Sequence, residues 1–160
     1  MATIAMLEAI DRAIQAEEKA CAFYSDASSR TKDAGGASMF RELAEFEAHH
    51  REHLTALKNS LSADRGWIVY EGRNLTKTPG SEASGRPAVG DHADALEALR
   101  LAIAAEERAV AEYTALSDAA GNDVGREAFR RLADEERMHR KLLDEQYLAL
   151  ANRGVWFWND

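Results

Sequence analysis

Apolar residues recur along most of the chain in alternating steps of three and four, which is the spacing of one face of an α-helix. Four stretches show this repeat, and each places its apolar side chains on a single stripe. The stripes contain Leu7, Ile10, Ile14, Cys21 and Tyr24; Phe40, Leu43, Leu54 and Leu57; Leu96, Leu99, Ile103, Val110 and Tyr113; and Phe129, Leu132 and Leu143. We therefore predict four long amphipathic helices whose apolar stripes face one another in a bundle.

The first pair of helices and the second pair are copies of one another. Residues 13–24, AIQAEEKACAFY, align without a gap with residues 102–113, AIAAEERAVAEY. Residues 39–54 align in the same way with residues 128–143, again at an offset of 89. Each copy is a helical hairpin, so the sequence predicts an all-α four-helix bundle built from two duplicated hairpins.

Capping and turn residues indicate where the helices begin and end. Thr3 is the predicted N-cap of the first helix, which we expect to end near Thr31. A glycine-containing turn, KDAGGAS, leads into a second helix that ends near Ser60. Asp91 is the predicted N-cap of the third helix, and the sequence GNDVG forms the last turn. The predicted third and fourth helices cover 92–120 and 124–152.

The linker over residues 62–91 contains both prolines and five of the ten glycines, which predicts a loop. A helix of about 27 residues is about 40 Å long, and a linker of this length can cross the whole bundle. We predict one domain over 1–160, with hairpins at 3–60 and 92–152, this crossover, and an aromatic tail at 153–160. The segment GWIVYEG in the linker is either a short strand or a cover on the bundle.

A glutamate interrupts every apolar stripe near its middle. An ionised carboxylate in an apolar interior is very costly unless it is paired or bound to a metal. In the second and fourth helices a histidine follows the glutamate by three residues, so both side chains leave the same helix face. Two divalent cations would balance four carboxylates and take two imidazoles as further ligands. The predicted ligands are Glu17, Glu47, His50, Glu106, Glu136 and His139.

One glutamate from each of two helices, with Glu-x-x-His from each of the other two, is the ligand arrangement of di-iron carboxylate bundles. A single Glu-x-x-His pair often arises by chance, but here two pairs share one offset and each has a partner glutamate. Oxygen and imidazole ligands without thiolate suit iron or manganese, and zinc could occupy the site without redox chemistry.

Neighbouring polar residues do not follow the duplicated pattern as closely. His49 and His53 align with Met138 and Leu142, so we interpret these two histidines as helix surface, with an indirect role for His53 at the site left open. We interpret Cys21 as a small buried apolar residue.

Two further interpretations concern the flanks of the site and the chain end. Glu18 and Glu107 are expected to be flanking polar residues. The tail GVWFWND packs either on its own bundle or on a partner subunit.

Composition excludes several classes of protein. The formal net charge of −8 and the pI near 5.2 argue against nucleic-acid binding. No apolar run reaches the roughly 18–20 residues needed to cross a bilayer, and the N-terminus lacks the basic segment of a signal peptide. A single cysteine excludes an internal disulfide and a cysteine-based metal site. We expect a cytoplasmic protein.

The duplicated motifs resemble those of the ferritin-like superfamily, and most closely its rubrerythrin-type branch. The shared pattern is E-x-x-A-x-x-(F/x)-Y followed by F-x-x-L-A-x-x-E-x-x-H, found in Glu17–Tyr24 with Phe40–His50 and in Glu106–Tyr113 with Phe129–His139. The resemblance implies two iron ions bridged by the glutamates of the Glu-x-x-His pairs, with one histidine on each ion. It also implies terminal ligands from the first and third helices, and hydrogen bonds to ligand carboxylates from Tyr24 and Tyr113.

The resemblance further implies oxidation of Fe(II) coupled to reduction of O2 or hydrogen peroxide, in oxidative-stress defence or iron handling. The rubredoxin module of typical rubrerythrins is missing, so an external electron donor is expected. Their additional ligand glutamate is replaced by Ala109, matched by Ala20, which makes the site symmetric and closer to a bacterioferritin ferroxidase centre.

Two other functions remain open from the residues, a non-enzymatic iron-binding or iron-delivery protein and a metal-free structural bundle. We also expect a homodimer or larger homo-oligomer, formed in one variant by exchange of hairpins.

Overall fold

The computed structural model describes residues 2–76, 86–87 and 92–158. It is a four-helix bundle in which α1 packs on α2 and α3 packs on α4, as the sequence predicted. The elements are α1 (Ile4–Arg30), α2 (Ala34–Ser62), β1 (Arg86–Pro87), α3 (Ala93–Ala119), α4 (Asp123–Arg153) and β2 (Val155–Trp156). The two short strands pair antiparallel and fasten the linker to the tail.

Three of the four described helices, α1, α2 and α4, carry side-chain caps at their N-termini. The Thr3 hydroxyl accepts a hydrogen bond from the Met6 amide at 3.1 Å, as predicted for the first helix. Asp33 caps α2 by accepting from the Gly36 amide at 2.8 Å, and Asn122 caps α4 by accepting from the Gly125 amide at 3.1 Å. Asp33 and Asn122 are separated by the same offset as the hairpins, so the duplication extends to the caps.

The turns within the hairpins are shorter than predicted, because α2 begins before Gly35 and Gly36 and α4 begins before Gly125. A tryptophan ring packs on each helix start, and only glycine leaves room for it. A Cβ atom on Gly36 would lie 3.0 Å from the Trp156 ring, and one on Gly125 would lie 2.7 Å from the Trp67 ring. These glycines therefore serve close packing. The predicted cap Asp91 lies outside the described residues.

The core consists of two apolar clusters at opposite ends of the bundle. One contains Phe40, Leu99 and Leu143, and the other contains Ile10 and Phe129. The stripe glutamates and their histidines lie between these clusters, at the middle of each helix. The polar layer therefore lies between two apolar clusters, and burial of these clusters stabilises the folded bundle through the hydrophobic effect.

The stripes of α1 and α3 are less buried than the sequence predicted. Leu7, Cys21, Leu96 and Ile103 are only half-buried. A groove of about 700 Å³ also lies between α1 and α3, whereas the helices within each hairpin pack closely. Alanines, charged side chains and aromatic rings line the groove, and it reaches the polar layer.

The tail packs on its own bundle, which decides between the two alternatives for it. Trp156, Phe157 and Trp158 are all buried. The Gln146 amide fixes the tail, because its nitrogen donates to the Val155 carbonyl at 3.0 Å and its oxygen accepts from the Phe157 amide at 3.1 Å.

The linker segment GWIVYEG is a cover and forms no strand. Trp67 and Ile68 pack against the core, and Tyr70 is buried. Of the helices that the structure describes, none is long and apolar enough to cross a membrane.

The packing of Trp67 on α4 predicts a context-dependent effect of Gly125→Ala. In the parent chain the new Cβ would clash with the indole, and we expect the free energy of unfolding to fall by about 1–3 kcal/mol. In a Trp67→Ala background the same change should be neutral or stabilising by up to about 1 kcal/mol, because alanine favours the helix. Urea unfolding of the four proteins measures this coupling. Equal effects of Gly125→Ala in both backgrounds would contradict the packing described.

Candidate metal centre

The structure brings the six predicted site residues together at the middle of the bundle. They form two overlapping groups, in each of which one ligand atom per residue lies within 4.8 Å of all the others. Glu47 and Glu136 belong to both groups. The first group is completed by Glu17 and His50, and the second by Glu106 and His139.

Both histidines direct Nδ1 towards the carboxylates. His50 Nδ1 lies 2.7 Å from Glu136 Oε1 and 3.4 Å from Glu17 Oε1. His139 Nδ1 lies 3.3 Å from Glu47 Oε1 and 3.6 Å from Glu106 Oε1. The two imidazole rings are nearly parallel, with centroids 6.1 Å apart. The duplicated Glu-x-x-His pairs thus face each other across the bundle axis.

The donor atoms of this cluster fit a pair of cations. Every one of the six residues is at most 4% exposed. Each also has a buried ligand atom that makes no hydrogen bond of normal geometry with the residues that the structure describes, although His50 Nδ1 and Glu136 Oε1 lie close together: Glu17 Oε2, Glu47 Oε1, His50 Nδ1, Glu106 Oε2, Glu136 Oε1 and His139 Nδ1. Orphaned buried polar atoms are costly. Bound cations would satisfy all six atoms at once.

Two buried tyrosines hold the glutamates of the opposite hairpin. The Tyr24 hydroxyl on α1 donates to Glu106 Oε1 on α3 at 2.6 Å. The Tyr113 hydroxyl on α3 donates to Glu17 Oε1 on α1. Burial and the nearby carboxylates raise the pKa of both tyrosines, so they remain protonated donors. The hydrogen bonds expected for these tyrosines are therefore present, and they cross between the two halves.

Their pKa shifts separate the four carboxyl groups into two pairs, although burial acts on all of them in the same direction. Burial raises the pKa of Glu17 and Glu106 well above the usual range, and the charges of Glu47 and Glu136 respectively add to this effect. Burial opposes ionisation of Glu47 and Glu136 as well, but hydrogen bonds and histidine charge outweigh it and lower their pKa. The shared carboxylates are therefore the pair that ionises more readily.

The histidines compensate part of this charge. Burial acts to lower the pKa of His50 and His139, but the surrounding carboxylates raise it well above the ordinary value of 6.5. In the metal-free protein, protons thus supply the positive charge that cations would bring. Metal binding must displace them, because the ligands bind as carboxylates and neutral imidazoles.

Two polar residues next to the cluster were missed by the sequence analysis. Glu135 Oε1 lies 3.1 Å from His50 Nε2, and the buried Tyr70 hydroxyl donates to the same oxygen at 2.7 Å. Glu135 immediately precedes a predicted ligand, but it lies off the apolar stripe and its counterpart in the other half is Phe46. Tyr70 comes from a linker whose path the helical pattern does not predict.

The linker also changes the interpretation of the neighbouring histidines. His49 and His53 are half-buried under Tyr70, whose ring centroid lies 4.8 Å from that of His53. Burial lowers the pKa of His53 to about 4. The interpretation of both residues as helix surface was therefore wrong, because the linker covers this part of α2.

The other residues set aside from the site lie away from its centre. Glu18 and Glu107 are exposed, as expected for flanking polar residues. Cys21 is a free thiol that is half-buried at the edge of the core.

The chain belongs to the rubrerythrin family. A family model described as Rubrerythrin matches residues 8–83 and 97–153, which is most of the sequence. A solved structure of a hypothetical protein from Pyrococcus furiosus is also similar, with 25% sequence identity, 94% of this chain and 93% of that chain covered, and a TM-score of 0.75. A comparison with curated proteins gave no match.

The raised pKa values predict how the stability of the metal-free protein depends on pH. Groups whose pKa is raised on folding stabilise the folded state while protonated, and this contribution is lost as the pH rises through their folded pKa values. We expect the thermal midpoint of chelator-treated protein to fall as the pH rises above the ordinary imidazole pKa of 6.5. Glu17→Gln with Glu106→Gln should flatten this decline, because the amides cannot ionise.

The matched control is Glu18→Gln with Glu107→Gln, which changes the adjacent exposed residues of the same helices. Thermal unfolding followed by circular dichroism from about pH 6 to about pH 9 measures the effect. A double Glu17/Glu106 variant with the same slope as the control would show that these carboxyl groups do not titrate as described.

Proposed function

We propose that this protein binds two iron ions at the buried cluster and couples oxidation of Fe(II) to reduction of O2 or hydrogen peroxide. The observation that carries the proposal is the set of six buried glutamate and histidine side chains whose ligand atoms converge in two groups that share Glu47 and Glu136. Membership of the rubrerythrin family supports iron as the metal. The donor set, oxygen and imidazole without thiolate, suits iron chemically.

Each residue has a distinct part in this proposal. Glu47 and Glu136, as members of both groups, would bridge the two ions. Glu17 and His50 would complete one position, and Glu106 and His139 would complete the other. The paired iron ions would supply the redox chemistry, since each can give up one electron to the oxidant.

The chain orients the ligands and limits access to them. Tyr24 and Tyr113 hold one oxygen each of Glu106 and Glu17, which leaves the second oxygen of each carboxylate free. The apolar clusters at both ends exclude water from the bundle axis. An external electron donor would return the iron to Fe(II).

The groove between α1 and α3 is the route by which we propose that the oxidant reaches the cluster. Glu17 and Glu106 line it, together with Ala20 and Ala109. Ala20 and Ala109 are small, so the groove stays open above the carboxylates. Its volume of about 700 Å³ is far more than O2 or hydrogen peroxide requires.

Anaerobic titration of the metal-free protein with Fe(II) tests the proposal. We expect binding of about two ions per chain and, on addition of O2 or peroxide, a near-ultraviolet absorption of Fe(III). Glu136→Gln should weaken binding at both positions, because it removes a charge shared by the two groups. The control is Glu127→Gln, which alters an exposed glutamate of the same helix.

The outcomes separate the alternatives. Fewer than about one iron per chain would overturn the proposal, because the six ligands should hold two ions. Tight binding without oxidation would instead favour iron storage or delivery by the same site.

Substitution in the groove provides a second prediction. Ala109→Leu should narrow the groove and slow oxidation of bound Fe(II), while the affinity for Zn(II) stays unchanged because no ligand is altered. Stopped-flow absorbance and zinc titration give the two quantities. Ala111→Leu, an exposed change two residues along α3, is the control. If Ala109→Leu oxidised iron as fast as the control, the oxidant would have to enter by another path.

A further inference from the structure

The two halves of the metal centre have the same ligands but different surroundings. The residue immediately before each shared glutamate contacts the histidine of the Glu-x-x-His pair on the other helix. On α4 this residue is Glu135, and at the equivalent place on α2 it is Phe46. The substitution of an acidic residue for an aromatic one breaks the symmetry of an otherwise duplicated site.

The Glu135 carboxylate contacts the nitrogen of His50 that points away from the metal cluster. Its Nε2 lies 3.1 Å from Glu135 Oε1, while its Nδ1 faces the cluster. The Tyr70 hydroxyl donates to the same Glu135 oxygen at 2.7 Å, and the Arg73 amide donates to Glu135 Oε2 at 3.3 Å. Glu135 is thus held in place by the linker, and the orientation of the His50 ring is fixed from outside the cluster.

His139 has an aromatic ring in the equivalent place. The Phe46 ring packs edge-on against the imidazole, with centroids 4.6 Å apart. His139 Nε2 is buried and hydrogen-bonds to none of the residues that the structure describes. The guanidinium group of Arg73 lies over the Phe46 ring, with Cζ 4.8 Å from the ring centroid. No carboxylate therefore reaches the outer nitrogen of this histidine within the described chain.

From these contacts we propose that Glu135 and Tyr70 make the two metal positions unequal, so that the position containing His50 binds its ion more tightly. A carboxylate that accepts a hydrogen bond from the outer nitrogen of a ligating histidine fixes the ring and makes it a stronger ligand. The ligand sets themselves do not distinguish the positions, since each has one histidine, one unshared glutamate and the two shared glutamates. The inference rests on the proposed function for the presence of two ions.

Titration of the metal-free protein with Co(II), followed by visible absorption and calorimetry, tests this inference without any redox reaction. We expect two binding steps of different affinity. Glu135→Ala should weaken the first step by about 10- to 100-fold, the usual effect of removing such a partner, and should leave the second step nearly unchanged. Tyr70→Phe should weaken the first step less, because Glu135 stays in place. Glu127→Ala, an exposed change on the same helix, is the control.

Substitution of each histidine shows which metal position gives which binding step. His50→Ala should abolish the tight step, whereas His139→Ala should abolish the weak one. Circular dichroism of each metal-free variant shows whether its helices are intact. The Co(II) affinities are compared only between variants that are folded.

Other outcomes would overturn the inference. Two equal Co(II) affinities in the parent protein would do so, as would a Glu135→Ala variant that weakens both steps equally or neither. Absence of Co(II) binding in the parent would overturn the proposed function itself, so the two failures are distinguishable.

Discussion

Four carboxyl groups and two imidazoles are buried at the middle of a bundle whose two ends are apolar, and this arrangement constrains everything around it. Carboxylates so close together repel one another, and an apolar interior does not solvate them. The chain meets this constraint with raised pKa values at Glu17, Glu106 and both histidines, which favour their protonated forms, and with hydrogen bonds from Tyr24 and Tyr113. The same side chains direct their ligand atoms at two points, which is the property that a pair of cations requires.

The parts of the chain outside the duplicated hairpins make the two halves different. The linker brings Trp67 onto the start of α4 and Tyr70 onto Glu135, whereas the tail brings Trp156 onto the start of α2. Two copies of one hairpin are therefore held in place by unrelated segments. The asymmetry reaches the middle of the bundle, where one histidine contacts Glu135 and the other contacts Phe46.

Much of the fold and the candidate site could be predicted because both depend on a periodic pattern that occurs twice. The helix ends agreed within two or three residues at most positions, and the six residues of the buried cluster could be selected because each is a polar residue on an apolar stripe. The start of α2 was the main error in the helix boundaries. Gly35 and Gly36 suggested a turn, but Asp33 caps a helix that includes them, and Trp156 requires the absence of a side chain at Gly36. That requirement comes from a residue about 120 positions away, which no local pattern reveals.

The sequence by itself determined the four helices, their duplication, and which polar side chains face the bundle axis, because helical periodicity fixes the direction of every side chain on a helix. Only the tertiary structure decided what the linker and the tail cover, how far apart α1 and α3 lie, and which residues stand behind each histidine. The physical reason is that these features depend on packing between segments that are distant in the chain. Glu135 is one of many glutamates in the sequence, and it becomes part of the site only because the fold places it between His50 and Tyr70.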